Sequence, residues 1–214
     1  MGSIHLIRHG QASWGAEDYD QLSDLGVRQS TSLGTSWEAS GWSPTEAVAG
    51  GMKRHAQTAI ATIDACGDGD GYDVDAGWDE YDHLALARAH DPAALATDDP
   101  KAFQASLNVA IAGWMAGETG EGEAYADFRD RVLTAFDAVA QRATSGRTVA
   151  VFTSGGPIAQ VVSHLLAGDD TLFQRLNDVV INASVTTVIV GGTGRRLLAF
   201  NEHVHLPRDM VTFR

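Results

Sequence analysis

The sequence predicts an α/β fold, a three-layer α/β/α sandwich built on a mostly parallel central sheet with an antiparallel edge strand. Two observations support this prediction. Short apolar runs rich in β-branched residues end at glycine-containing turns, and longer amphipathic patterns with helical periodicity separate those runs. Strands that alternate with helices are typical of a sheet covered on both faces. With 214 residues and 44% hydrophobic content, the chain can bury a full core, and we expect one domain over residues 1–214.

Five apolar runs are predicted as strands, at residues 3–8, 45–49, 149–153, 185–190 and 196–200. The first run ends at His9, the second at Gly50 and the third at Ser154. The last two flank a glycine-rich turn and are predicted to form a hairpin at the sheet edge. Because ligands bind beyond the carboxyl ends of strands in open α/β sheets, we expect His9, Gly50 and Ser154 to face one crevice.

Five amphipathic patterns are predicted as helices, at residues 24–38, 53–66, 100–115, 125–144 and 158–166. In the fourth pattern, Leu133, Phe136, Val139 and Ala140 recur at the spacing of one buried helix face. The segment 84–122 has no strand signal and contains two Asp-Pro pairs, which are typical of helix starts. It is predicted as a helical insertion over the sheet edge.

The charge and cysteine content exclude several classes of protein. The chain has 15 Lys and Arg against 28 Asp and Glu, a formal net charge of -13 that repels polyanions and argues against nucleic acid as a partner. A single cysteine, Cys66, rules out an intrachain disulfide framework. No apolar run approaches the roughly 20 residues needed to span a bilayer. We therefore expect a cytoplasmic protein that is not attached to a membrane.

The densest chemical signal is the tetrapeptide Arg8-His9-Gly10-Gln11 at the end of the first predicted strand. A guanidinium suits paired phosphate oxygens, an imidazole can act as a nucleophile, and a glycine lets backbone approach closely. Taken alone, the motif is equally compatible with a buried histidine that is hydrogen-bonded at a strand end.

The ordered set of motifs resembles the histidine phosphatase superfamily, the phosphoglycerate mutase-like class. The hallmark of that family is a leucine-rich first strand ending in Arg-His-Gly followed by Glu or Gln, as in Leu6-Ile7-Arg8-His9-Gly10-Gln11. Two further family patterns are matched by Leu22-Ser23-Asp24-Leu25-Gly26 and by Arg54-His55-Ala56-Gln57-Thr58-Ala59. The resemblance extends from Ile4 to about Leu206 and implies a phosphoglycerate mutase-like fold.

The resemblance implies that His9 attacks phosphorus between Arg8 and Arg54, with Gln11 also at the phosphate. Two convergent arginines are what a phosphoryl transition state requires, because its charge is spread over three oxygens. Taken by itself, Arg54 on a helix face is more typical of a solvated surface charge. His9 also needs an acceptor on its other ring nitrogen to hold the reactive tautomer, and the sequence does not identify one.

The resemblance also implies a general acid after the third strand, in a pattern matched by Trp78-Asp79-Glu80-Tyr81. We therefore expect Glu80 to protonate the leaving oxygen, with a raised pKa if the pocket is partly closed. Asp79 and Asp82 are the competing carboxyl groups. Without the resemblance, this acidic cluster would be interpreted as a solvated turn.

The sequence departs from the family at the second histidine, which the family carries in a Ser-His-Gly-Gly turn. Here Ser154 occupies that position, followed by Gly155 and Gly156. Ser154 and the backbone of Gly155 remain candidate phosphate donors at a helix start. Ser154 could instead serve only as an N-cap for a helix beginning at Pro157. Four other histidines are candidates to replace the missing imidazole: His55, His83, His203 and His205.

The sequence therefore predicts a phosphomonoester hydrolase that forms a phosphohistidine on His9, is slowed by Ser154, and needs no metal or organic cofactor. The alternatives are a non-catalytic pseudo-phosphatase that binds phosphorylated ligands and a phosphoglycerate mutase-type phosphotransferase. A metal pair at His203 and His205 is a weaker interpretation, because no further cluster completes a tetrahedral set. The partner is expected to be a small phosphorylated substrate, with Trp14, Tyr19 and Trp114 as residues that line a pocket or lie in the core. The oligomeric state stays open.

Overall fold

The computed structural model describes residues 1–13, 20–67, 71–92, 99–118 and 122–213. Within these ranges it contains six strands and seven α-helices. In chain order they are β1 (Gly2–Arg8), α1 (Asp24–Ser40), β2 (Glu46–Ala49), α2 (Lys53–Cys66), β3 (Asp73–Val74), α3 (His83–His90), α4 (Pro100–Met115), α5 (Tyr125–Arg142), β4 (Thr148–Thr153), α6 (Gly155–Ala167), α7 (Phe173–Asn177), β5 (Val185–Gly191) and β6 (Gly194–Glu202). Short 3-10 helices lie at Ala76–Trp78 and Arg208–Met210.

The strands form one sheet in the order β3-β2-β4-β1-β5-β6. The first four are parallel, whereas β5 runs antiparallel to β1, and β6 runs antiparallel to β5. The predicted mostly parallel sheet is confirmed, and its antiparallel edge is a hairpin. Arg8 on β1 is in register with Thr153 on β4, and Ala49 on β2 is in register with Phe152. The carboxyl ends of β1, β2 and β4 therefore lie side by side.

Helices cover both faces of the sheet. Side chains alternate between the faces along each strand, so each face presents apolar residues to a helical layer. On one face Ile7 packs with side chains of α1 and α2, including Leu33 and Ile63. On the other face Leu6 packs in a larger cluster with α5 and α6. This three-layer arrangement holds the strand ends in fixed positions and so provides a rigid base for a site.

The predicted helical insertion contains α3 and α4, which pack on each other, with α4 also contacting α5 and α7. Trp114 on α4 is 2% exposed and donates its indole N–H to the carbonyl of Glu123 at 2.8 Å. It is therefore a core residue and does not line a pocket. Trp14 and Tyr19, the other two aromatic candidates, lie outside the described residues.

Helix α6 begins at Gly155 and not at the predicted residue 158. Its first turn contains Gly155 and Gly156, which have low intrinsic helix propensity and add nothing to an apolar pattern. The sequence therefore predicted too late a start for this helix. The backbone of Ser154 is extended, with φ -119° and ψ 175°, so this one residue separates the end of β4 at Thr153 from the helix. None of the helices in the described ranges has both the length and the apolar composition required to cross a membrane.

Candidate active site

His9 directly follows β1 and is held in one tautomer. Its backbone N–H donates to the carbonyl of Thr153 at 2.8 Å, which ties it to the end of β4. Its Nδ1 lies 2.7 Å from the carbonyl oxygen of Gly10. Because a carbonyl only accepts, the proton must sit on Nδ1, and Nε2 of the neutral ring then keeps its lone pair. The acceptor that the sequence could not identify is the Gly10 backbone.

The pKa of His9 lies well below its ordinary range. Burial is the largest cause, since the residue is only 6% exposed, and the charges of Arg54 and Arg8 act in the same direction. A nearby His55 contributes further. His9 is therefore neutral near pH 7, the form in which an imidazole is a nucleophile.

Arg8 and Arg54 are each fixed by neighbouring oxygens. Nη1 of Arg8 donates to the carbonyls of Val180 and Phe213, the latter at 3.0 Å. Arg54 is 4% exposed, so the interpretation as a solvated surface charge is wrong, and its Nη1 pairs with Oδ1 of Asp20 at 2.7 Å. Sequence reasoning missed Asp20, which lies far from Arg54 along the chain and belongs to no recognisable motif.

Glu80 lies in the loop after the 3-10 helix Ala76–Trp78, and its carboxylate faces the start of α6. Its Oε2 accepts the backbone N–H of Gly156 at 3.1 Å. A Cβ at Gly156 would overlap Oε1, so only glycine lets this carboxyl approach the helix. Burial raises the pKa of Glu80, although the Gly156 N–H and the charge of Arg54 partly oppose that rise. The solvated-turn interpretation therefore does not hold for Glu80.

The two competing carboxyl groups have other partners. Oδ1 of Asp82 accepts the backbone N–H of Ala85 at 2.9 Å and caps α3. Oδ1 of Asp79 accepts the N–H of Gly51 at 2.5 Å. The loop that carries Asp79 is anchored by Arg131, which donates to the carbonyl of Asp79 at 2.7 Å. Arg131 is a second supporting residue that sequence reasoning missed.

Ser154 occupies the N-cap position of α6, but its side chain makes no capping hydrogen bond. Its Oγ lies instead 2.7 Å from Nε2 of His55. Both side chains are fully buried, and the ring centroid of His55 is 5.9 Å from that of His9. The Ser154 side chain therefore does not cap the helix, although the residue holds the N-cap position, and of the four candidate histidines it is His55 that lies beside it.

The other three candidate histidines lie in different surroundings. His83 is the first residue of α3, and burial with the charges of Arg54 and Arg8 lowers its pKa to about 4. Nδ1 of His203 is 2.8 Å from the carbonyl of Asn201. Burial lowers the pKa of His205 to about 4 against an opposing hydrogen bond with the backbone of Ala183. Among the described residues, no group of three or more His, Cys, Asp or Glu side chains is arranged to hold a metal ion.

Gln11 and Gly155 complete the set of predicted phosphate ligands. The backbone N–H of Gln11 donates to Oε1 of Gln29 at 2.8 Å, and its own Oε1 accepts from Oγ of Ser23 at 3.0 Å. These bonds tie the loop after His9 to the start of α1. Gly155 lies beside Arg8, because a Cβ there would be 3.8 Å from the Arg8 Nε. Gly155 thus packs against one of the two arginines.

The Gly10 backbone approaches α1 closely, and a side chain at this position should be strongly destabilising. A Cβ on Gly10 would overlap the carbonyl oxygen of Gly26, which cannot rotate away. We expect Gly10→Ala to lower the free energy of unfolding by about 1–3 kcal/mol, measured by urea denaturation. Gly192→Ala is the control, because a Cβ there meets no atom within 4 Å. Equal stability of the two variants would contradict the close approach.

Comparison with known proteins identifies the family and the fold. A family profile, the histidine phosphatase superfamily (branch 1), matches residues 4–203. A search of curated protein sequences gave no match. Among solved structures, phosphoglycerate mutase from Bacillus anthracis is 18% identical, with coverage of 95% of this chain and 94% of that chain and a TM-score of 0.71.

Two phosphatase structures are similar to a comparable degree. Phosphoserine phosphatase from Entamoeba histolytica, in complex with 3-phosphoglyceric acid, is 20% identical, with coverage of 97% and 100% of the two chains and a TM-score of 0.70. Mycobacterial glucosyl-3-phosphoglycerate phosphatase is 21% identical, with coverage of 94% and 98% and a TM-score of 0.66. These likenesses establish the fold, and the profile match over nearly the whole chain shows that it belongs to the histidine phosphatase superfamily.

Proposed function

We propose that the protein is a phosphomonoester hydrolase that forms a phosphohistidine on His9. The observation that carries this proposal is the hydrogen bond from Nδ1 of His9 to the Gly10 carbonyl, which leaves Nε2 as the nucleophilic nitrogen. The substrate class is a small phosphomonoester, since two arginines surround the imidazole and the chain's net charge of -13 disfavours polyanionic partners.

In the first step, Nε2 of His9 attacks phosphorus, the N–P bond forms and the bond to the ester oxygen breaks. The guanidinium groups of Arg8 and Arg54 stabilise the negative charge on the phosphoryl oxygens. Ser154 and the backbone N–H of Gly155 donate further hydrogen bonds to these oxygens at the start of α6. Gln11 lies at the edge of the phosphate site. The helix N-terminus also favours an anion at this position.

Glu80 is the proton donor to the leaving oxygen in this proposal. Its raised pKa keeps a proton available at higher pH than an ordinary glutamic acid would. In the second step, the Glu80 carboxylate takes a proton from water, the water oxygen attacks phosphorus and the N–P bond breaks. Inorganic phosphate leaves, and both His9 and Glu80 return to their starting protonation states.

The proposal is tested by trapping the intermediate with a ³²P-labelled aryl phosphate in the presence of chelator. A phosphoramidate withstands alkali and is cleaved by acid, so the expected label on the wild-type protein is stable to alkali and labile to acid. Equal yields of phosphate and phenol are expected for hydrolysis. Less phosphate than phenol, with label on an added alcohol, would instead indicate a mutase-type phosphotransferase.

The second candidate function, a phospho-ligand-binding pseudo-phosphatase, is favoured only by Ser154 in place of histidine. A pure binding site would need neither a free Nε2 on His9 nor an acid with the raised pKa of Glu80. Absence of label and turnover, together with a rise in Tm on adding inorganic phosphate, would support the binding function. We also propose a cytoplasmic location, in keeping with a sequence that contains one cysteine, Cys66, and therefore no intrachain disulfide.

A further inference from the structure

One imidazole beside His9 has no role in the steps above. His55 follows Arg54 in the first turn of α2, is fully buried, and lies with Nε2 2.7 Å from Oγ of Ser154. Its ring is 5.9 Å from that of His9, measured between centroids. It thus reaches from α2 to the start of α6, the position at which the family resemblance places a second histidine.

The surroundings of His55 are built to hold an imidazole. A Cβ at Gly50 would overlap Nδ1 of His55, so glycine at the end of β2 leaves the space that the ring fills. On the same side, Oδ1 of Asp79 is 3.8 Å from Nδ1, and that carboxylate is held by the N–H of Gly51. Among the described residues Nδ1 makes no hydrogen bond, and burial of a polar ring with one unpaired nitrogen is costly, which indicates a specific role for the contact that Nε2 makes.

We propose that His55 and Ser154 together replace the second histidine, with Ser154 donating to a phosphoryl oxygen and His55 acting as the positioning residue behind it. In this arrangement Nε2–H of His55 donates to Oγ of Ser154, and the serine hydroxyl hydrogen points to the substrate. The inference rests on the proposed function, since it assigns donors to the same phosphoryl group.

The direction of this hydrogen bond follows from what an anion can accept. The Ser154 hydroxyl has one hydrogen, which is directed either to His55 or to the substrate. A phosphoryl oxygen between two arginines has no proton to give, so its presence selects the arrangement in which serine donates outward and imidazole donates to serine. Burial and the charge of Arg54 hold the pKa of His55 well below its ordinary range, so the ring is neutral, and this arrangement places its one proton on Nε2.

Asp79, His55 and Ser154 are also the residue types of a serine hydrolase triad. Two features favour a phosphoryl group over a carboxylic ester as the group that Ser154 contacts. The 3.8 Å from Nδ1 to Asp79 is beyond hydrogen-bond distance, and the guanidinium groups of Arg8 and Arg54 lie close enough to His9 to lower its pKa. A neutral carboxylic ester would gain little from these two positive charges, whereas a phosphoryl group carries the negative charge that they stabilise.

The test is a double-mutant cycle on His55 and Ser154 with orthovanadate as the probe. Vanadate adopts the five-coordinate geometry of phosphoryl transfer, so its affinity reports on the donors without requiring turnover. We expect His55→Ala and Ser154→Ala each to weaken vanadate binding by about 10- to 100-fold. The double variant should bind vanadate with the same affinity as the single variant that binds it less tightly, because the two residues act as one donor.

Two rescue variants separate this role from a merely structural one. His55→Gln, whose amide N–H can reach Ser154, should bind vanadate within a few-fold of wild type. The exchanged variant His55→Ala/Ser154→His should recover affinity lost in His55→Ala, because it returns an imidazole to the helix start. His203→Ala serves as the matched histidine control and should bind like wild type.

The outcomes distinguish this inference from the proposed function. Additive losses in the cycle, or wild-type affinity in His55→Ala, would overturn the pairing even if His9 becomes phosphorylated. A coupled cycle with rescue would establish the pairing even if no phosphohistidine forms, in which case hydrolysis is the part that fails. Comparison of Tm across the variants ensures that each affinity belongs to folded protein.

Discussion

Replacement of His9 by alanine is expected to lower kcat for an aryl phosphate by about 10⁴-fold or more. The reason is that Nε2 of His9 is the only nucleophile assigned to phosphorus in this mechanism, so its removal eliminates the covalent route. The measurement is steady-state hydrolysis with chelator present, compared with ³²P incorporation into the same variant, which should be absent.

Two controls accompany this variant. His203→Ala removes a histidine that follows β6 and whose Nδ1 contacts the Asn201 carbonyl, and it should retain wild-type turnover. Added imidazole can occupy the space left by His9→Ala and restore a fraction of the rate. If His9→Ala kept a tenth or more of the wild-type kcat, the phosphohistidine mechanism would be refuted.

Replacement of Glu80 by glutamine is expected to affect alkyl and aryl phosphates very differently. Gln keeps the size of the side chain but cannot supply a proton. We expect kcat for an alkyl phosphate to fall by about 10²- to 10⁴-fold, because an alkoxide leaves only with a proton. A nitrophenyl phosphate should be affected much less in the first step, since nitrophenolate leaves unprotonated.

The pH profile provides the control for that variant. The acid form of Glu80 is required, and burial raises its pKa, so kcat/KM for an alkyl phosphate should fall as pH rises through this raised value. The required neutral form of His9 persists to low pH, because its pKa is well below the ordinary 6.5. Loss of rate with rising pH should vanish in Glu80→Gln. Equal losses for both leaving groups would exclude Glu80 as the general acid.

The parts of the fold that the sequence predicted are those with a long, regular signal. Strands β1 and β4 and helix α2 were found because their apolar residues repeat over several positions and their ends coincide with glycines. Strand β3 was missed because Asp73–Val74 contains a single apolar residue and is defined only by its pairing with β2. Helix α7, of five residues, is too short to show a periodicity.

The candidate site likewise contains residues that the sequence predicted and contacts that it did not. His9, Arg8, Arg54 and Glu80 lie in local motifs, and the structure places their charges close enough to influence one another. The contact between His55 and Ser154 joins residues 99 positions apart, and no local pattern distinguishes His55 from the other candidate histidines. The pairing of Asp20 with Arg54 was missed for the same reason, because it depends on how the chain at Asp20 meets the start of α2.

The positions of the arginines and histidines along the chain determine how substitutions affect the site. The site contains two Arg-His dipeptides, Arg8-His9 at the end of β1 and Arg54-His55 in the first turn of α2. Each arginine is therefore next to a histidine in the sequence. A displacement of the α2 start therefore moves a charge and a ring together. Substitutions near Met52 should consequently alter ligand affinity and turnover together.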